Sequence, residues 1–369
     1  MPQAIFALAI KEFLALLRDK SSRVVLIGPP IAQLLVFGYA ATFDLNNVPV
    51  AVYNEDTGIA SREFIGRLEG SPNFEIIQSI NKNADIDRLI DNKKALMVVH
   101  IDSRFSANLQ KNIPASVQVI LDGRNSNTAM IALNYMRSIL LDFNQDRAET
   151  RGTGKPPATL KMRAWYNENL QSRWFIIPGI IGLLTLVVTL IVTALSVARE
   201  REAGTFDQLL VTPLTPLQIL IGKALPGIII GMVEATFIIT VAVYWFDIPL
   251  RGNFGALYLG LFLFMLSAVG VGLMISAIAV TQQQAVLGAF LFLVPAVILS
   301  GFATPIANMP EVVQWLTYID PLRYALIVIR GVFLEGDGYA LLFNQYWPMA
   351  IIGVVSLAMA GWLFRKRMY

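Results

Sequence analysis

The run WFIIPGIIGLLTLVVTLIVTALSVA, Trp174–Ala198, extends for 25 residues without a charge and stops on Arg199-Glu200-Arg201-Glu202. A helix of about 20 apolar residues crosses a bilayer core. The run therefore reads as a membrane span that ends sharply at a water interface. Working outward, four more uncharged runs occur: Val24–Phe43 (20 residues), Phe254–Val280 (27), Ala285–Ile306 (22) and Trp347–Phe364 (18). A sixth, Ala224–Phe246, has 23 residues and one charge, Glu234. Of the 369 residues 55% are hydrophobic and 15% charged, against about 25% charged in average soluble domains. The expected fold is a polytopic α-helical membrane protein with six transmembrane helices, and an ordinary soluble enzyme is excluded.

The charges are concentrated between the first two spans. Residues 44–173 hold 15 acidic and 16 basic groups, 31 of the chain's 55. That composition is globular. The expected order is a cytoplasmic interfacial helix over 1–23, a first span over 24–43, a periplasmic domain over 44–173, a bundle of five helices over 174–364 and a basic tail over 365–369. Net charge is only +3, with basic and acidic residues interleaved, which gives no case for nucleic acid. The absence of Cys excludes disulfides, thiolate metal sites and thiol nucleophiles.

Lys and Arg in short connections favour the cytoplasmic side. Residues 1–23, 199–223 and 365–369 carry 10 of them, and the opposite short loops carry only Arg251, Arg323 and Arg330. Both termini are expected in the cytoplasm. Before the first span, Ile5, Phe6, Ala9, Phe13, Leu16 and Leu17 recur at helical steps, with Lys11 and Arg18 on the other side, as in a helix lying in the interface. The length of the following apolar run argues against a cleaved signal peptide.

Within 44–173, Val48–Tyr53, Phe74–Ile80, Ala95–Ile101 and Ser116–Leu121 read as strands, and Ser61–Leu68, Ala84–Asn92, Ser103–Lys111 and Asn125–Arg147 as helices. The expectation is an α/β domain with a tether over Thr150–Pro157. His100, the one histidine, reads as a hydrogen-bonded strand-end residue. Asp122-Gly123-Arg124-Asn125 reads as a turn, with a surface binding loop as the other reading.

A phosphate-cradling loop needs G-x-x-x-x-G-K-[ST]. Gly222-Lys223 lacks both the first glycine and the hydroxyl. No nucleotide site is therefore expected in this chain. The connection over 199–223 is the most specific stretch: after the alternating charges, Gly204 suits a helix C′ position. Thr205 and Gln208 then form a Thr-x-x-Gln capping box with Asp207 in the first turn, and Thr212-Pro213 ends the segment. Thr215-Pro216-Leu217-Gln218 repeats the box. A short, separately capped helix results, with Phe206, Leu209 and Leu210 as its apolar contacts. It reads either as an element that enters a partner's cleft or as a plain turn between spans.

This run, Arg199-Glu200-Arg201-Glu202-x-Gly204-Thr205-x-x-Gln208-Leu209-Leu210-x-x-Pro213, resembles the signature of ATP-binding-cassette type-2 transporter permeases, in particular bacterial multidrug-efflux-type subunits. Leu299-Ser300-Gly301-x-x-x-Pro305-x-x-x-Met309-Pro310, Asp320-Pro321-x-Arg323 and Arg330-Gly331 agree with it. The resemblance implies an inner-membrane transport subunit that is not itself an enzyme and forms half of an export pathway for drugs or amphiphilic molecules. It implies an ATPase subunit that binds ATP and Mg, a homologous or identical second permease, membrane lipid and a periplasmic adaptor as partners. It also implies that Arg199, Glu200, Gly204, Thr205, Phe206, Asp207, Leu209 and Leu210 couple to that ATPase. The family often carries an acidic residue where Gln208 stands, so no salt bridge is expected from that position.

Between the fifth and sixth spans, Pro310–Ile319 and Pro321–Leu334 read as two helices too short to cross, within a region 301–345. They resemble the re-entrant helices with which the family gates the outer mouth, which places Gly301, Pro305, Pro310, Pro321 and Arg323 at that gate; a surface helix without gating is the other reading. Thr185, Thr189 and Thr193 form one stripe in the second span, as a pathway or a helix contact would. Glu234 is costly to bury ionised and is expected to face protein or water, or to carry a proton. Gly227-x-x-x-Gly231 allows close helix approach. A translocation path lined by Thr185, Thr189, Thr193 and Glu234 follows by resemblance. The rival functions are a membrane-anchored receptor or scaffold working through its outer domain, and a proton-coupled secondary transporter using Glu234.

Overall fold

A computed structural model describes residues 2–18, 20–39, 45–124, 126–150, 166–167, 171–206 and 214–368. The chain divides into two compact units, Met1–Ala41 with Ala164–Tyr369, and Thr42–Arg163.

The smaller unit is built on a four-stranded sheet of β1 (Val48–Asn54), β2 (Phe74–Ile80), β3 (Met97–Ile101) and β4 (Val117–Leu121), in the order β2-β1-β3-β4. β1 pairs parallel with β2 and β3, and β3 pairs antiparallel with β4. Val50, Ala51, Val98 and Val99 are fully buried although they alternate between faces. A central strand covered on both sides reads as a continuous apolar run for this reason. Helices α3 (Ile59–Glu69), α4 (Ala84–Asp91), α5 (Phe105–Gln110) and α6 (Ser126–Thr150) supply the cover. Phe64 meets Phe143 edge-on at 5.4 Å in the main core.

Two polar features singled out in the sequence of this unit find local partners. His100 pairs with Gln118 at 3.1 Å and stacks on Tyr53. Arg124 folds back on Asp122 at 2.6 Å and donates to the Ile90 carbonyl, so the cluster makes a turn; its hydrogen bonds hold the Asp122 carboxyl down to about 2. Asn125 and the expected tether beyond Thr150 lie outside the described residues.

The larger unit is helical: α1 (Pro2–Arg18), α2 (Lys20–Tyr39), α7 (Ser172–Glu202), α8 (Pro216–Tyr244), α9 (Phe254–Ile278), α10 (Gln282–Leu299), α11 (Glu311–Leu316), α12 (Pro321–Arg330) and α13 (Tyr339–Met368). Among the described residues α7, α8, α9, α10 and α13 are long and apolar enough to cross a membrane. α2 overlaps the first expected span as far as Tyr39, with Pro29 and Pro30 inside it; residues 40–43 lie outside the described residues. Three boundaries move furthest, and one is the start of α13, at Tyr339 rather than Trp347. α8 begins at Pro216 rather than Ala224 because Thr215 caps it reciprocally with Gln218, and it carries Lys223 inside. α10 ends at Leu299 rather than Ile306 because Gly301 takes φ +84 and turns the chain.

α7 and α9 form the centre. Gly260 and Gly270 on α9 have no room for a methyl, since Val328 and Ser356 occupy the space. The Ser267 hydroxyl donates to the Met349 carbonyl at 2.9 Å and the Tyr346 hydroxyl to that of Ala256 at 2.9 Å, which satisfies polar groups where water is absent. The α11 segment, extended to Ile319, and the α12 segment, extended to Glu335, are bent by 82°. Asp320 caps α12 by accepting from the Leu322 N–H at 3.0 Å, with Pro321 at its first position.

Candidate functional site

Three of the four charges after the second span, Glu200, Arg201 and Glu202, turn to different partners. Arg201 donates from Nη1 to the carbonyls of Ala277 (2.9 Å) and Ala279 (3.0 Å) at the end of α9. Glu202 accepts the Gln282 N–H at 2.8 Å, the start of α10. These contacts answer orphan backbone groups at two other helix ends. Glu200 turns the opposite way and enters a buried cluster.

That cluster joins three helices. Lys223 of α8, its side chain 1% exposed, stands 2.7 Å from Glu200 Oε2 and 2.8 Å from Glu12 Oε1 of α1. Lys11 reaches Glu200 Oε1 at 3.0 Å from the exposed side of α1. Ser196 donates to Glu12 Oε2 at 3.2 Å and accepts from Lys223 at 3.4 Å. Two cations face two anions, so the group is neutral as a whole. Losing any one buried member would strand a charge in a dry site. Gly222 makes the approach possible, since a methyl there would come within 2.6 Å of the Leu8 side chain.

Glu200 also anchors the chain that leaves the membrane. Gly204 has φ +68; its N–H donates to the Arg201 carbonyl at 3.1 Å, and the Thr205 N–H donates to the Glu200 carbonyl at 2.9 Å. This is the Schellman pattern of a helix end. The Thr205 hydroxyl adds a bond to the same carbonyl. Its expected partner Gln208 lies outside the described residues, together with Asp207, Leu209, Leu210 and the remainder through Pro213. Phe206 is buried rather than presented outward: it meets Phe364 edge-on at 5.8 Å, lies 4.9 Å from the Arg201 guanidinium carbon and packs with Leu8, Val197 and Ile219. An aromatic ring beside an apolar cluster gains more by closing it than by facing water. Arg199 lies in the last turns of α7.

The threonine stripe contacts helices. Thr185, Thr189 and Thr193 are wholly buried. A methyl on Gly227 or Gly272 would collide with Thr193, and one on Gly231 with the Thr189 hydroxyl. The three glycines of α8 and α9 thus let those helices close on α7. Thr193 donates to the Thr189 carbonyl at 2.7 Å, the back-bond open to threonine in a helix. Glu234 is buried on the same face of α8, and neither of its oxygens has a hydrogen-bond partner among the described residues. At the opposite end of the bundle, Pro305 precedes a turn of 3-10 helix, Ile306–Asn308, and Pro310 precedes α11. Arg323 donates to the Thr317 hydroxyl and lies 4.2 Å from the Tyr318 ring centre.

Sequence reasoning passed over Glu12 and Lys223. The signal was present, since Glu12 stands four residues from both Leu8 and Leu16, which are buried on the bundle side of α1. Phe6 and Ile10, by contrast, are exposed. An interfacial helix meets apolar surroundings on two sides, protein and lipid, so its apolar stripe does not show which side is packed.

Comparison with known proteins places the whole chain. The family described as "ABC-2 family transporter protein" matches residues 20–362. A probable multidrug ABC transporter permease of Escherichia coli K12, YbhR, is 39% identical over 98% of both chains. A second from the same organism, YbhS, is 33% identical over 98% of this chain and 96% of its own length. The inner membrane transport permease YhhJ is 25% identical over 98% and 97%.

Proposed function

We infer from membership, since the chain belongs to the ABC-2 family of transporter proteins and is the permease subunit of an ABC exporter, that it works as half of a two-permease pathway driven by a separate ATPase. ATP and Mg belong to that ATPase, and the cargo is a drug or small amphiphile, as the names given to its relatives suggest. The membrane is the bacterial inner membrane, with both termini in the cytoplasm and the smaller unit in the periplasm. A membrane-anchored receptor and a secondary transporter working through Glu234 are not favoured by this membership.

The single observation that carries the coupling is the neutral Lys11–Glu200–Lys223–Glu12 cluster at the base of the Gly204 turn. A load applied by an ATPase to residues 205–213 meets a helix end tied to α1 and α8 by ions and to the backbone ends of α9 and α10 by the Arg201 and Glu202 side chains. The five helices then respond together. The bent α11–α12 pair at the other end is the element we assign to the outer gate, with Gly301, Pro305, Pro310, Pro321 and Arg323 shaping it as a re-entrant loop.

Gly204→Pro tests the docking role. Proline cannot take φ +68 and has no N–H for the Arg201 carbonyl. The exit direction of the loop changes while the spans stay intact. The wild-type chain, purified in detergent, should bring an ATP-hydrolysing subunit in stoichiometric amount, and the variant should lose it. Equal recovery of that subunit with both chains would count against this assignment.

A further inference from the structure

Arg330, the last residue of α12, is a half-buried cation that forms no ion pair among the described residues. Its guanidinium carbon lies 3.9 Å from the centre of the Phe175 ring in the first turn of α7. Gly179, one turn further along α7, leaves the space: a methyl there would come to 2.5 Å from the Phe302 ring and 3.3 Å from Arg330 Nη2. Nε and Nη2 are shielded from solvent and donate to no acceptor among the described residues. The neighbouring acids are otherwise placed. Asp320 caps Leu322, and Asp337 sits against Gly331 without forming an ion pair with Arg330 among the described residues.

Two guanidinium donors aimed at nothing in an apolar setting are costly unless a ligand supplies the acceptor. The planar fork matches two oxygens of a phosphate, and the aromatic platform fixes its plane. The place is also suited to a headgroup. Phe175 and Ile327 are 41% and 42% exposed, so the rim of the cradle is apolar surface. Next to it, Arg251 lies over Trp174 at 5.9 Å, the amphipathic aromatic and cation pairing found at the membrane–water boundary.

We propose that Arg330, seated on Phe175, binds the phosphate oxyanion of an anionic lipid headgroup in the leaflet at the N-terminal end of α7. Lipid bound there would brace α12 against α7 where Phe302 and Arg330 meet Gly179. The site is independent of the ATPase and of the transported molecule.

Native mass spectrometry of the intact chain in detergent tests it. The protein is incubated in turn with dioleoylphosphatidylglycerol, dioleoylphosphatidylcholine and inorganic phosphate. The wild type should retain phosphatidylglycerol in preference to phosphatidylcholine. Arg330→Gln should lower retention of phosphatidylglycerol about tenfold, the loss of roughly one charged hydrogen bond, and Lys82→Gln in the smaller unit should leave it unchanged. Arg330→Lys, which keeps the charge without the fork, should fall between and serves if the Gln variant does not fold. Equal retention of the two lipids by the wild type, or full retention by Arg330→Gln, would overturn the proposal. So would Arg330-dependent binding of inorganic phosphate with no lipid retained, which would place the anion in solvent.

Discussion

Lys223 holds two carboxylates at once while its own side chain is almost wholly out of water. Its replacement is therefore asymmetric in effect. Lys223→Met leaves Glu12 buried without a cation and Glu200 with Lys11 alone, and breaking a buried pair in this way costs about 3–5 kcal/mol. A thermal melt in detergent should fall by roughly 10 °C. The triple variant Lys223→Met, Glu12→Gln, Glu200→Gln removes the three buried charges together, leaving only the exposed Lys11, and should recover most of that loss. An unchanged melt for Lys223→Met would mean that the cluster does not hold α1, α7 and α8 together. Glu200 could be singled out from its position before Gly204, because a charge run followed by glycine marks a helix end. Its partners could not, because they stand 188 and 23 positions away and nothing local couples Glu12 or Lys223 to it.

At the scale of elements, α7 and α8 meet through glycine and threonine. Gly227 and Gly231 face Thr193 and Thr189, so the small-residue pattern and the threonine stripe, which are separate features of the sequence, are two sides of one contact. Gly231→Ala should destabilise the chain by about 1–3 kcal/mol, as overpacking does. Thr189→Ala removes the hydroxyl that the new methyl would strike, and the pair should cost less than the sum of its parts. Additive losses in thermal melts would contradict the contact. The five long apolar helices were legible in the sequence because lipid imposes a length and a composition on a span. Element ends were less so: Pro216 opens α8 well before the uncharged run, since an ionised Lys223 can be carried inside a helix once Glu12 and Glu200 neutralise it. Strands of the smaller unit were legible from Val and Ile runs, and their order in the sheet was not, since β2-β1-β3-β4 depends on pairings between distant segments.

Across the molecule, charge is used in three ways. In the smaller unit it is surface chemistry, as in Arg124 on Asp122. At the base of the bundle it is a closed, neutral lock under the Gly204 turn. At the other end Arg330 stands on Phe175 without a protein anion among the described residues. The second lies where an ATPase would push. The absence of native cysteine offers a direct route to that question, because any cysteine introduced into the chain is the single thiol. The decisive measurement is a site-specific cross-link in native membranes from Leu209→Cys, in the loop beyond Gly204, and from Ile327→Cys on α12. The account predicts that a short thiol-reactive cross-linker joins position 209 to an ATP-hydrolysing subunit identified by mass spectrometry and leaves position 327 unjoined to it. Cross-linking of that subunit from 327 and not from 209, or from neither, would contradict the assignment of this chain as a permease driven through its 199–223 connection.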